Sequence, residues 1–82
     1  MALQLKLVSK DTISYNKGEH LANLVVGNSN VAHNVIVYDG RFYIALTEGD
    51  RITKLWKVTE WDSDAQIYDA LHQIAEGRYE FT

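Results

Sequence analysis

The chain has 82 residues with 46% apolar content, no cysteine, no proline and a formal charge of −3. This length fits a single domain over residues 1–82, the apolar content excludes a disordered chain, and the missing cysteines exclude disulfides and thiolate metal sites. Packing alone, or packing with self-association, must hold a domain that buries only about 60–65% of its unfolded surface.

Taken in chain order, Leu3, Leu5 and Leu7 alternate with Gln4 and Lys6, the pattern of a half-buried strand. The same segment lacks the charged start and long apolar stretch of a signal peptide. No apolar run approaches the roughly 18–20 residues that a membrane span requires, so a soluble protein of the cytoplasm is expected. Ile13 and Tyr15 suggest a short strand, and Leu21–Val26 a further one. Gly27-Asn28-Ser29-Asn30 reads as a turn. Val31–Tyr38 and Arg41–Thr47 flank Asp39-Gly40, the pair that a type I′ hairpin turn favours because it needs positive φ twice. Glu48-Gly49-Asp50 turns the chain again into a strand over Ile52–Thr59.

The hairpin sets a register in which Tyr38 faces Arg41, Val37 faces Phe42 and Ile36 faces Tyr43. One face then carries Val35, Val37, Phe42, Ile44 and Leu46 and is the expected core. The other carries Asn34, Ile36, Tyr38, Arg41, Tyr43 and Ala45, and is expected to be amphipathic and open. A helix is predicted from Ser63 to Glu76. Ser63 and Gln66 have the spacing of a capping box, Ile67, Ala70, Leu71 and Ile74 form an apolar stripe, and Gly77 stands where a helix C-terminus favours glycine. Arg78–Thr82 is expected to be an extended tail. The predicted fold class is α+β: an antiparallel meander of four to five strands with one C-terminal helix packed on one face.

Catalytic signals are weak. The glycines are isolated, so neither a dinucleotide fingerprint nor a phosphate loop is present. No nucleophile-elbow pattern surrounds a serine for which His20, His33 or His72 would be the base. Asp69, His72 and Glu76 share a helical face, but no second cluster completes a coordination sphere, and a solvated face accounts for them. No cofactor or metal is expected. His20 and His33 are read as turn or sheet-edge residues, and Trp56 and Trp61 as core residues.

The distribution of charge is the most distinctive feature. Residues 58–82 carry Glu60, Asp62, Asp64, Asp69, Glu76 and Glu80 against a single base, Arg78. Asp62, Asp69 and Glu76 are seven apart and line the helix away from Ile67 and Ile74. A helix stabilised for its own sake mixes signs in i, i+4 pairs; uniform acid gives up that support and creates a field that attracts a basic partner. The expected partner-binding residues are therefore Asp62, Asp64, Asp69, Glu76 and Glu80. A secondary partner face is Ile36, Tyr38, Arg41 and Tyr43, either buried in a homodimer or used to stack single-stranded nucleic acid. The net acidity weighs against nucleic acid, because phosphates call for clustered Lys and Arg.

In size, charge and class, the whole chain resembles the small acidic single-domain proteins with which phages and mobile elements inhibit host defence, anti-CRISPR proteins among them. That resemblance implies a non-enzymatic inhibitor, acting in the host cytoplasm, that presents an acidic surface to a basic, nucleic-acid-binding site on a larger protein or complex. It assigns no individual site residue.

Overall fold

The structure, a computed structural model, describes residues 4–25 and 30–75. Its strands are β1 (Gln4–Val8), β2 (Glu19–Val25), β3 (Val31–Tyr38), β4 (Arg41–Glu48) and β5 (Arg51–Glu60), followed by α1 (Asp64–Ala75). The strands form one sheet in the order β1-β5-β4-β3-β2, antiparallel at every pairing. The expected α+β architecture is therefore present, with five strands. β2 to β5 form the meander, and β1 returns to the outer side of β5 (Leu5 opposite Val58, Val8 opposite Leu55).

The β3–β4 hairpin has the expected register, Tyr38 opposite Arg41 and Ile36 opposite Tyr43. Its turn residues have φ of 53° at Asp39 and 73° at Gly40, the doubly positive geometry that matches strand twist. Alternation along the strands sends Val35, Ile44, Trp56 and Val58 to one face, where Ile67, Ala70 and Leu71 of α1 complete the main core. The helix lies across β3 and β2. Phe42 meets Trp61 edge-on with ring centroids 5.1 Å apart, which pins the segment that leads into α1. Both tryptophans belong to this core, Trp56 buried and Trp61 packed at its margin.

The opposite face departs from expectation. Ile36 and Ala45 are fully buried and Tyr43 is 5% exposed. They belong to a second core with Ile13, Ile52 and Leu55, flanked by Val8, Tyr15 and Tyr38. The cover is the connection between β1 and β2, residues 9–18. Those two strands lie at opposite edges of the sheet, four inter-strand gaps apart, or roughly 19 Å. Ten extended residues reach at most roughly 33–36 Å, so the chain can cross directly over the face. It does so with Ile13 turned inward at 6% exposure. The short strand expected at Ile13–Tyr15 is absent; bends and turns replace it, with Thr12 N–H donating to the Ser9 carbonyl and Lys17 N–H to that of Ser14. Gly18 seats the end of the crossing: a Cβ there would lie 2.1 Å from Ile36 Cγ2, so only glycine permits this approach.

Three further expectations need correction. Leu7 shares the helix side with Leu5 but is 57% exposed, because α1 crosses the β2–β3 side of the sheet and β1 is the far edge. His33 is no edge residue: it lies on β3, between β2 and β4, and is buried. The capping box closes one residue early, since the Gln66 side chain accepts from the N–H of Asp62 while Gln66 N–H donates to the Ser63 carbonyl at 3.1 Å. Leu3, the Gly27–Ser29 turn, Glu76, Gly77, Glu80 and the tail over 78–82 lie outside the described residues.

Candidate functional site

The apolar stripe of α1 decides what its other side presents. With Ile67, Ala70 and Leu71 on the sheet, Asp62, Asp64, Asp69 and His72 are turned to solvent. A shallow groove of about 630 Å3 runs along this outer side, lined by Asp62, Ser63, Ala65, Gln66, Tyr68, Asp69 and His72. Its floor includes Tyr68, half-buried against the main core, and its rim carries Asp62 and Asp69. The Asp69 carboxylate accepts from Gln73 Nε2 at 3.4 Å, a long contact that leaves most of its hydrogen-bonding capacity turned to solvent. Between Val58 and Ala75 the chain has no Lys or Arg, and His72 is the basic side chain that α1 brings to the groove.

The structure thus brings Asp62 and Asp69 together along one groove and places Asp64 at the helix start beside it. Glu76 and Glu80, the remaining members of the expected set, lie outside the described residues. The secondary face is not assembled as expected. Ile36 and Tyr43 are buried beneath the 9–18 crossing, Tyr38 is half-buried, and Arg41 is exposed with its guanidinium 3.2 Å from Asp39. Crowding by Ile13 and Gly18 removes the flat aromatic platform that base stacking needs.

A polar feature escaped the sequence reading. Asn23 Nδ2 donates to Asn34 Oδ1 at 2.7 Å, Asn34 Nδ2 donates to Thr47 Oγ1 at 2.8 Å, and Thr47 donates to the Ala32 carbonyl at 3.3 Å. This chain crosses β2, β3 and β4 on the side away from the helix, and Asn34 and Thr47 are 1% and 2% exposed. Asn34 and Thr47 lie within the predicted hairpin, but the Asn23–Asn34 link is visible only once the β2–β3 register is known. His20, at the start of β2, donates through Nε2 to the Tyr15 carbonyl at 2.8 Å and so ties the crossing to the sheet edge.

Among the described residues, no three His, Asp or Glu side chains converge to hold a metal ion, and no helix is long and apolar enough to cross a membrane. Comparison with protein-family models, curated proteins and solved structures finds no match to this chain.

Proposed function

We propose that this protein acts by binding and not by catalysis, and that the outer side of α1 docks on a basic surface of a larger protein. The observation that carries this reading is a groove whose carboxylates, Asp62 and Asp69, lie on a stretch of chain that has no Lys or Arg between Val58 and Ala75. An acidic surface of this kind competes with polyanions for a basic site, so a partner that itself binds nucleic acid fits best. Inhibition of such a partner is the consequence, in keeping with the build of small acidic inhibitors of host defence.

The test is paired affinity capture from the native host. Wild type and the double variant Asp62→Lys/Asp69→Lys serve as baits, with Asp11→Lys on the opposite side as control. The two reversals change the local charge by four units. Both positions are exposed, so each should change stability by no more than about 1 kcal/mol, including the helix-dipole effect at Asp62. Wild type and the control should retain the same basic protein, the double variant should lose it, and raising salt from about 0.1 to about 1 M should release it. Equal retention by the folded double variant at low salt would rule out the acidic groove as the interface.

A further inference from the structure

His33 is a buried titratable side chain outside the acidic groove. It is 7% exposed and shares a side of β3 with Val35. Its cross-strand neighbours, Leu24 and Leu46, both pack against the main core. Among the described residues, α1 is the element that lies over this side of β3 and β2. Its approach is pinned where Trp61 meets Phe42, opposite Val37. From Val37 to His33 the strand rises roughly 13 Å, and the twelve residues of α1 span about 18 Å. The helix is thus long enough to cover His33 with its later turns, and Ile74 in that stretch packs against the same core.

A proton on this ring has no place to go. Neutral imidazole keeps one bare nitrogen, whereas imidazolium carries N–H on both. Nδ1 is buried with no hydrogen-bond partner among the described residues, so the charged ring would bury a donor without an acceptor. The surrounding elements offer no relief. Beside it on β2 and β4 stand Leu24 and Leu46. Further along β4, opposite Val31, Glu48 is engaged by Arg51 at 3.1 Å. Glu19, His20 and Arg41 lie at the far end of the sheet, opposite Val37, Ile36 and Tyr38. On α1, Asp64, Asp69 and His72 are turned to solvent, and Tyr68 is half-buried. Burial accordingly pushes the pKa of His33 below the ordinary 6.5.

The two cores decide which part gives way. α1 supplies Ile67, Ala70 and Leu71 to the main core and no residue to the second, which lies on the other side of the sheet. Lifting α1 therefore opens the ring to water while Ile13, Ile36, Tyr43 and Leu55 stay packed. We infer that His33 is a pH-sensitive latch on α1: a proton on its ring releases the helix from the sheet, and the second core keeps the strands together. The release is local because the β3–β4–β5 ladders involve no residue of α1. It is driven by differential proton binding, since the open form accepts a proton that the docked form excludes.

Amide hydrogen exchange at about pH 7.5 and about pH 5.5, read by nuclear magnetic resonance and corrected for intrinsic rates, tests the latch. The α1 amides should be less protected than those of the β4–β5 ladder at both pH values. Between the two they should lose protection by up to about tenfold, the limit for a ring that titrates near 6.5 once released. His33→Leu, and separately His33→Phe, should remove that pH response; His20→Gln and His72→Gln should keep it. Whichever His33 variant stays folded decides. The wild-type ring gives a second reading that needs no variant: at about pH 6 its nitrogen shifts should remain mainly those of neutral imidazole. Equal protection of α1 and the β4–β5 ladder would overturn the inference, because the chain would then open only as a whole. So would α1 protection indifferent to pH, a pH response that survives in a folded His33 variant, or a ring charged at about pH 6 beneath a fully protected helix.

Discussion

His33 shows what one residue contributes. It lies on the helix side of β3 opposite Leu24 and Leu46, and its Nδ1 is buried without a hydrogen-bond partner among the described residues. Desolvation favours the neutral ring and lowers its pKa below the ordinary 6.5. The unfolded chain then binds the proton more readily than the folded one. Above the unfolded pKa both states are neutral at this ring and nothing is lost. As pH falls through about 6.5 toward the lowered folded value, stability falls with it. Urea midpoints measured between about pH 7.5 and about pH 5 should therefore decline more steeply for wild type than for His33→Leu. Parallel curves would mean that the ring is solvated or paired in solution.

At the scale of elements, α1 depends on the sheet. Twelve residues are too few for a stable isolated helix in water, so the apolar stripe must supply the stability. Leu71, 3% exposed in the main core, is the test position. Leu71→Ala should cost about 2–5 kcal/mol, a large share of what a domain of this size has. An unmoved urea midpoint would show that the helix does not dock through this face. The β3–β4 hairpin is more self-sufficient, because its turn chemistry and strand patterning favour the same register.

At the scale of the whole molecule, the sheet is covered on both sides by unlike pieces: a helix on one and an irregular ten-residue crossing on the other. The crossing has few apolar anchors, and Ile13 is the one fully inside the second core. Ile13→Ala should destabilise by about 2–5 kcal/mol, as other large-to-small core replacements do. It should also raise binding of a dye such as ANS, because Ile36 and Tyr43 become accessible when the crossing loosens. Loss of stability without dye binding would indicate that the crossing collapses onto the gap instead of lifting.

Local information determined much of this protein. Asp39-Gly40 between alternating runs specified the hairpin and its register, since that turn geometry matches only one pairing. The stripe of Ile67, Ala70 and Leu71 specified a helix with its acids outward, since a period of 3.6 settles which side is buried. The destination of β1 was not legible, because strand pairing across the chain depends on which edge is free once the meander has formed. The fate of Ile36 and Tyr43 was hidden for the same reason: alternation says which residues share a face, and only the path of the 9–18 crossing says whether that face is covered. The groove at Asp62 and Asp69 was legible as charge on a helix. The Asn23–Asn34–Thr47 ladder was not, because its members stand 11 and 13 residues apart and become neighbours only when three strands are in register.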